Sequence, residues 1–286
     1  MSGAVRERLR ARGLAPKKSF GQNFLVAEPV VEAIAAACVP DEEAGRAWVV
    51  ELGAGTGVLT SALVARARHV TAVERDRDLV PLLEEDLAES IASGRLTIAE
   101  GDAQTFDLLA ALAPAGGDPR VLCGNLPYQI TGRLLERAIH VAPLITRAVF
   151  MVQEEVADRL AARPATKDYG ALTVFARAAF DVRKVRKVSP ACFHPPPDVT
   201  SAVVELLPAG RAEETPAFRA VVRAAFATRR KTLRNAWRGL GAPEGAVGAA
   251  AEAAGVSLDA RGETLDVDAF ARFADQLTLR GWRPAP

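Results

Sequence analysis

The sequence has few of the residues that build disulfide frameworks, metal sites or membrane spans. Its three cysteines, Cys38, Cys123 and Cys192, lie far apart, and its three histidines are equally scattered. Without close-spaced pairs of these residues, neither a disulfide framework nor a structural zinc site is expected. No apolar run approaches the roughly 20 residues that a membrane-spanning helix needs. These absences favour a cytoplasmic protein that binds neither metal nor membrane.

The N-terminal segment is basic and contains no apolar core. Residues 1–18 hold several arginines and lysines but only one acidic residue, Glu7. A secretory signal would need an apolar stretch there, so none is expected. A weak organelle-targeting segment is one interpretation. The sequence favours the other, a short solvated arm over residues 1–20.

The net charge of +1 hides an uneven distribution of basic residues. Residues 216–239 contain several arginines and a lysine but no acidic residue, and further basic clusters occupy residues 183–187 and the N-terminal arm. A single cluster would be typical of a solvated surface. Three clusters together favour an anionic polymer as partner.

Short apolar runs alternate with amphipathic segments through the first two thirds of the chain. Predicted strands cover residues 48–52, 69–73, 96–100, 120–124 and 147–152, and a closing pair covers residues 184–188 and 201–206. This alternation is typical of a mostly parallel sheet covered by helices on both faces. After Pro208 the pattern is helical only. We therefore expect domains at residues 1–208 and 209–286.

The first strand ends in a glycine-rich loop, ELGAGTG, which contains Gly53, Gly55 and Gly57. Glycines let the chain turn sharply and let a ligand approach the backbone. A dinucleotide fingerprint would place a third glycine where Val58 stands. The loop therefore predicts a nucleoside-binding site without clear evidence of a pyrophosphate.

Two carboxylates follow the next strands at the same edge of the predicted sheet. Glu74 ends the second strand, where a carboxylate can accept hydrogen bonds from both ribose hydroxyls, and Asp102 follows the third strand. With the glycine loop, they favour S-adenosylmethionine, which has no phosphate, over a nicotinamide dinucleotide. The alternative is that these residues only form turns at the strand ends.

The fourth strand runs into GNLPYQIT, residues 124–131. The amine of adenine is a poor nucleophile, and acceptors for its two N–H groups favour the pyramidal amine of a methyl-transfer transition state. Asn125 offers a side-chain carbonyl, and Leu126 offers a backbone carbonyl that Pro127 restrains. Tyr128 offers a ring on which an extruded base can stack. A tight turn without catalytic role is the alternative.

The chain resembles the ribosomal RNA adenine dimethyltransferase family, whose bacterial members modify small-subunit RNA. The blocks that carry the resemblance are KKSFGQNFL (17–25), ELGAGTG (51–57), ERD (74–76), EGDA (100–103), GNLPYQIT (124–131), MVQEEVADRL (151–160), YGALTVFARA (169–178), FHPPPDVTSAVVEL (193–206) and RRKTLRNAW (229–237). The resemblance implies an α/β fold, with a Rossmann-like class I methyltransferase sheet and a small all-α C-terminal domain that binds RNA or the ribosome. It also implies that S-adenosylmethionine methylates N6 of two adjacent adenosines twice each, in the 3′-terminal hairpin loop of 16S RNA, during small-subunit biogenesis.

The residue patterns and the resemblance together predict roles for individual residues. Those expected to contact the methyl donor are Asn23, Leu25, Gly53, Gly55, Glu74, Asp102 and Asn125. Those expected to hold the target adenine are Asn125, Leu126, Pro127, Tyr128 and Phe193. Those expected to contact RNA are Arg229, Arg230, Lys231 and Arg234.

This sequence departs from the family pattern in the block around Tyr128. Gln129 stands where the family usually has asparagine, Thr131 replaces a serine, and Ala54 replaces a frequent proline in the glycine loop. Gln129 is expected to alter contacts at the edge of the base pocket, and therefore the range of substrates.

Four other functions compete with this interpretation. The nearest is the antibiotic-resistance branch of the family, which methylates large-subunit RNA. A DNA adenine methyltransferase would need a target-recognition region that the sequence does not display. A ribosome-assembly factor, in which binding matters more than methylation, is compatible with the sequence. Val58 disfavours a nicotinamide oxidoreductase, and nothing indicates more than a monomer.

Overall fold

The computed structural model describes residues 2–228 and 230–284. The chain divides into two compact units: unit 1 comprises Met1–Ala157 and Arg183–Pro208, and unit 2 comprises Asp158–Val182 and Ala209–Pro286. The expected boundary after Pro208 coincides with one border between the units. The structure differs from the expectation in assigning residues 158–182 to unit 2.

Helices and strands mostly alternate up to Val188, and the described elements after Pro208 are helices. The strands are β1 (Phe24–Leu25), β2 (Trp48–Leu52), β3 (His69–Glu74), β4 (Leu96–Glu100), β5 (Arg120–Asn125), β6 (Arg147–Gln153), β7 (Phe180–Val188), β8 (Phe193–His194) and β9 (Ser201–Pro208). The α-helices are α1 (Ser2–Ala11), α2 (Glu28–Cys38), α3 (Val58–Arg66), α4 (Val80–Asp86), α5 (Ala88–Ala92), α6 (Leu108–Leu112), α7 (Thr131–Val141), α8 (Glu154–Ala161), α9 (Ala171–Ala179), α10 (Pro216–Ala227), α11 (Leu233–Ala236), α12 (Ala246–Ala254) and α13 (Val267–Leu279). Each strand predicted from the sequence lies within one of these strands.

A seven-stranded sheet has the order β4-β3-β2-β5-β6-β9-β7. Strands β2 to β6 run parallel, and β9 runs antiparallel to β6. Apolar runs form these strands because both faces of a parallel sheet are covered; in β2, Val49, Val50 and Leu52 are buried. The expectation of a Rossmann-like α/β fold is confirmed. The expected closing pair, β7 and β9, consists of neighbours in the sheet.

The strand order reverses at β2, which lies between β3 and β5. In open α/β sheets, ligands bind outside the carboxyl ends of the strands at such a reversal. The two backbones approach closely there: a Cβ on Gly124 would lie 2.4 Å from the carbonyl oxygen of Leu52. Glycine at this position therefore lets the ends of β2 and β5 meet.

Residues 2–11 of the N-terminal arm form α1, a helix with a buried face. The expectation of a solvated arm was therefore wrong for this part of residues 1–20. Val5 and Leu9 of α1 are buried, in a cluster that includes Phe24 and Leu82. Residues four apart share one face of a helix, so this apolar pair explains why the arm folds onto unit 1 despite its charge.

Unit 2 has a core of its own. The ring of Trp237 stacks on that of Phe273 with centroids 3.8 Å apart. Tyr169 is buried and donates its hydroxyl hydrogen to the carbonyl oxygen of Leu265 at 2.7 Å. Tyr169 and its neighbours thus pack with the C-terminal helices, which explains why residues 158–182 belong to unit 2. None of the described helices is long and apolar enough to cross a membrane.

Candidate active site

A cavity of about 120 Å³ lies at the carboxyl ends of β2, β3, β4 and β5 in unit 1. Nine residues that the sequence analysis assigned to a site line it: Asn23, Gly53, Gly55, Glu74, Asp102, Asn125, Leu126, Pro127 and Tyr128. The cavity therefore brings most of the expected donor-binding and catalytic residues together.

The loop after β2 has a backbone that favours glycine. Gly53, Gly55 and Gly57 have φ angles of 81°, 59° and 78°, values that L side chains rarely adopt. Space is also limited, since a Cβ on Gly55 would lie 3.2 Å from the ring of Phe24. At Gly53 and Gly55 the loop therefore presents backbone atoms, without side chains, to the cavity.

Glu74 is a buried carboxylate held by backbone donors. Its two oxygens accept hydrogen bonds from the N–H groups of Gly55 and Asp76, each at 2.7 Å. Burial raises the pKa of Glu74, while these hydrogen bonds act in the opposite direction. Glu74 is therefore fixed in orientation at the end of β3, with further lone pairs left for a ligand's hydroxyl groups.

Asp102 lies at the corresponding end of β4 and is more exposed than Glu74. Its carboxylate accepts a hydrogen bond from the N–H of Gln104 at 2.9 Å and lies 3.5 Å from the guanidinium of Arg75. Two carboxylates thus face one cavity from neighbouring strands.

Asn125 ends β5 and connects the two sides of the cavity. Its side-chain N–H donates to the carbonyl oxygen of Asn23 at 2.9 Å. The N–H of Leu126 donates to the carbonyl of Met151 at 3.1 Å. Within residues 2–228 and 230–284, no group donates to the carbonyl oxygens of the Asn125 side chain or the Leu126 backbone. Two adjacent acceptors are therefore available at the end of β5.

Tyr128 is half-buried at the edge of the cavity. Its hydroxyl lies 2.7 Å from that of Ser201, and burial raises the pKa of Tyr128. The turn that contains Tyr128 is fixed as well, because the Thr131 hydroxyl donates to the carbonyl of Pro127 at 3.0 Å. The ring of Tyr128 therefore has a defined position beside the two acceptors.

Leu25 and Phe193 are not among the described residues that line the main cavity. They face each other across the antiparallel pair β1–β8, and both belong to the main core of unit 1. Leu25 lines a smaller pocket together with Gly53 and Asn125. Phe193 is only 4% exposed, and it is not among the described residues that line the main cavity. Its expected stacking on the target base stays a prediction.

The expected RNA-contacting residues belong to unit 2. Arg230 and Lys231 are exposed. Arg234 is also exposed, but its guanidinium pairs with Asp259 at 3.0 Å. Arg229 lies outside the described residues.

Sequence reasoning missed the buried carboxyl group of Glu51 and the role of Asp76. Glu51 is 1% exposed and accepts a hydrogen bond from the Thr60 hydroxyl at 2.6 Å. Burial raises the pKa of Glu51 to about 8. An acidic residue inside the apolar run WVVEL was the available indication. Asp76 accepts hydrogen bonds from Lys17 and Gln22, and no local pattern indicates such distant contacts.

The sheet order and the cavity at its reversal define a Rossmann-like, class I methyltransferase. A family model described as ribosomal RNA adenine dimethylase matches residues 13–278. The chain therefore belongs to the ribosomal RNA adenine dimethylase family, whose methyl donor is S-adenosylmethionine. This confirms the family, the class of enzyme and the cofactor expected from the sequence.

Relatives with the name ribosomal RNA small subunit methyltransferase A cover most of the chain. That of Anaeromyxobacter sp. strain K is 46% identical over 233 residues, which are 78% of this chain and 79% of the relative. That of Desulfitobacterium hafniense strain DSM 10664 / DCB-2 is 44% identical over 268 residues, 92% of each chain.

Two solved enzyme structures share the fold. A dimethyladenosine transferase from Plasmodium falciparum has a TM-score of 0.73 at 23% identity, over 90% of this chain and 98% of that one. The 23S rRNA methyltransferase ErmE has a TM-score of 0.65 at 27% identity, over 90% of this chain and all of that one. The first likeness supports the fold alone.

The residues of the cavity fit S-adenosylmethionine. The glycine loop leaves room for a ligand against the backbone, and Glu74 offers fixed acceptors for ribose hydroxyls. Among the described residues, no group of histidines, cysteines and carboxylates is arranged to hold a metal ion.

Proposed function

We propose that the protein dimethylates N6 of two adjacent adenosines in the 3′-terminal hairpin loop of 16S ribosomal RNA, as part of small-subunit biogenesis in the cytoplasm. The proposal is supported by two acceptors in the cavity, the side-chain carbonyl of Asn125 and the backbone carbonyl of Leu126. Glu74 and Asp102 line the same cavity. The names of the relatives support the small subunit as the substrate.

The acceptor pair supplies the chemistry that an exocyclic amine needs. Asn125 and Leu126 accept hydrogen bonds from the two N–H groups of the adenine amine, and these bonds strengthen as the nitrogen becomes pyramidal and positive. No strong general base is required, because the quaternising amine is acidic and loses a proton readily. The two carbonyls thus stabilise the transition state more than the bound adenosine.

The target base is held by residues that follow the acceptors. Tyr128 stacks on the extruded adenine, and its contact with Ser201 fixes the ring. Pro127 restrains the backbone between acceptor and ring. Phe193 is proposed to cover the other face of the base, which requires its side chain to move out of the core.

The methyl donor is held on the other side of Asn125. Glu74 accepts hydrogen bonds from the ribose hydroxyls, Asp102 lies near the adenine of the donor, and Gly53 and Gly55 let it approach the backbone. Asn23 and Leu25 contribute from the N-terminal side, as the family resemblance implies. When bound, S-adenosylmethionine supplies an electrophilic methyl group on its sulfonium.

Unit 2 is proposed to bind RNA phosphates. The exposed Arg230 and Lys231, together with Arg234 and Arg229, are the proposed contacts. We propose that the protein acts as a monomer.

The test is methyl transfer from labelled S-adenosylmethionine to under-methylated small subunits, large subunits, naked RNA and DNA. Nucleosides are identified by mass spectrometry. The proposal predicts N6,N6-dimethyladenosine in the small subunit alone. Product only in DNA would contradict it.

Methylation of large-subunit RNA is the second candidate, favoured by the 27% identity with ErmE. Product only in large subunits would establish that activity instead. Binding to small subunits without methylation would favour the assembly-factor interpretation, and Gln129→Asn would then be the first variant to test for restored activity.

A further inference from the structure

Asp76 is a buried carboxylate with partners from a distant part of the chain. Its side chain is 3% exposed. One oxygen lies 2.5 Å from the ammonium of Lys17, and the other accepts from the side-chain amide of Gln22 at 2.8 Å. Burial acts to raise the pKa of Asp76, but these hydrogen bonds outweigh it, and the pKa is lowered. Asp76 is therefore an anion with both oxygens bound to the N-terminal segment.

The segment that Asp76 holds is a wall of the cavity. We call residues 17–24 the strap, since most of them, from Ser19 to Phe24, line the cavity. The carbonyl of Asn23 in the strap receives the hydrogen bond from Asn125. At Gly21, a Cβ would lie 3.7 Å from the side chain of Gln129. The strap thus contacts Asn125 and approaches Gln129, in addition to its contacts with Asp76.

Further contacts connect Lys17, the first residue of the strap, to Gln22. The backbone N–H of Lys17 donates to the side-chain oxygen of Gln22 at 2.7 Å, so the Gln22 amide joins the strap to itself and to Asp76. The guanidinium of Arg75 lies 5.0 Å from the ring centroid of Phe20, within the range of a cation–π contact. These contacts hold residues 17–22 together and fix their position against Arg75 and Asp76.

Asp76 is also connected to the carboxylate proposed to bind the ribose. Its backbone N–H donates to Glu74 at 2.7 Å, and the other oxygen of Glu74 accepts from Gly55. The residue that fixes the strap therefore also orients Glu74. A charge-assisted hydrogen bond in a buried setting is among the stronger polar contacts of a protein.

We propose that Asp76 is a positioning residue that holds the strap closed across the methyl donor through Lys17 and Gln22. The inference rests on the proposed use of this cavity for S-adenosylmethionine. Asp76 touches neither reactant; it acts through the strap and through Glu74. Its function is to retain the donor while RNA enters from the side of Tyr128.

The test replaces Asp76 by asparagine and measures binding of S-adenosylmethionine without RNA. The Asp76→Asn variant keeps the size of the side chain but loses the charge that holds Lys17. We expect the dissociation constant, measured by calorimetry, to rise roughly tenfold, because one charge-assisted hydrogen bond is weakened. Dissociation followed by stopped flow should accelerate by a similar factor.

Hydrogen exchange separates positioning from a general loss of stability. In the ligand-free Asp76→Asn variant, amides of residues 17–24 should exchange faster while those of β2 and β5 keep their protection. A variant that is less stable throughout, yet binds the donor as tightly as the wild type, would overturn the inference.

Lys17 provides a second, partly exposed site for the same test. Lys17→Met should weaken donor binding and Lys17→Arg should largely preserve it. Lys17 also pairs with Asp78 at 2.6 Å, and Lys17→Met removes both ion pairs. The double variant with Asp76→Asn should therefore bind about as weakly as Lys17→Met alone, because the ion pair between Lys17 and Asp76 is already lost in that variant. Arg12→Met is the matched control, because it removes a different ion pair of the arm, the one between Arg12 and Glu85 of α4.

Additive effects of Lys17→Met and Asp76→Asn would overturn the inference. So would an unchanged dissociation constant in both variants. If the wild-type protein itself did not bind S-adenosylmethionine, the proposed function would fail first. Wild-type binding with unaffected variants would leave the proposed function intact and reject only the role of Asp76.

Discussion

The side-chain nitrogen of Asn125 lies 2.9 Å from the backbone carbonyl oxygen of Asn23. A carbonyl can only accept, so the amide must present its N–H group to Asn23 and keep its own oxygen for another donor. The hydrogen bond joins the end of β5 to a segment 102 positions earlier in the chain. This contact therefore orients the side chain of Asn125 as an acceptor.

This orientation predicts the effect of Asn125→Ala. Removal of one preorganised acceptor should lower the rate of methyl transfer by roughly 10²–10³-fold. Binding of S-adenosylmethionine should change much less, because Glu74 and the glycine loop remain. Single-turnover kinetics and calorimetry measure the two effects separately. A rate near that of the wild type would exclude Asn125 from the mechanism.

Glu51 should make the stability of unit 1 depend on pH. Its folded-state pKa of about 8 exceeds the ordinary 4.5, so between these values the folded protein holds a proton that the unfolded chain releases. The free energy of unfolding should therefore fall as pH rises through this range, by up to about 1.4 kcal/mol per pH unit.

Glu51→Gln should remove this part of the pH dependence. Urea unfolding followed by circular dichroism at several pH values measures it. The exposed Glu84 provides a matched control, and Glu84→Gln should leave the slope as in the wild type. An identical slope in wild type and Glu51→Gln would show that Glu51 is ionised in the folded protein.

Gly124→Ala should destabilise the site end of the sheet. The added Cβ would overlap the Leu52 carbonyl oxygen at 2.4 Å, and backbone cannot move aside as a flexible side chain can. Overpacking of this kind costs about 1–3 kcal/mol or more. The melting temperature should therefore fall. The affinity for S-adenosylmethionine should fall as well, since Asn125 is the next residue.

Gly132 in α7 offers the control for that variant. A Cβ at Gly132 would meet nothing within 4 Å. Gly132→Ala should therefore leave stability unchanged or raise it by up to about 1 kcal/mol, as helix propensity predicts. Equal effects at the two positions would contradict the close approach of β2 and β5.

Charge reversal of Arg230 and Lys231 should weaken binding to the small subunit and flatten its salt dependence. The logarithm of the binding constant decreases linearly with the logarithm of the salt concentration. The magnitude of this slope should decrease by roughly 0.7–0.9 for each phosphate that the variant no longer neutralises. The exposed pair Arg46 and Arg68 in unit 1, reversed in the same way, controls for net charge. Equal slopes in the two double variants would mean that Arg230 and Lys231 do not contact RNA.

The sheet and its glycine loop could be predicted because their causes are local. Runs such as WVVEL alternate with amphipathic helices, and the backbone of Gly53 and Gly55 excludes most other residues. Asn125 and Tyr128 could be proposed from the chemistry of an amide and a ring at a strand end. The family resemblance alone supplied the expected roles of Asn23 and Phe193, which stay predictions.

What sequence reasoning missed depends on contacts between distant segments. The basic residues of the arm concealed the apolar pair Val5 and Leu9, whose spacing was the available indication of a packed helix. Tyr169 precedes the expected domain boundary but packs in the core of unit 2. The order of elements along the chain does not reveal that a segment before this boundary belongs to the C-terminal unit. Asp76 follows Glu74 by two positions, yet its partner Lys17 lies 59 positions away.

Mapping the product on the RNA tests the proposed dimethylation. Under-methylated small subunits are incubated with the wild-type protein and S-adenosylmethionine, and nuclease fragments of the RNA are sequenced by mass spectrometry. The account predicts two methyl groups on N6 of each of two adjacent adenosines in the 3′-terminal hairpin loop, and none with Asn125→Ala at equal reaction times. Methylation at another position, or undiminished product from the variant, would contradict it.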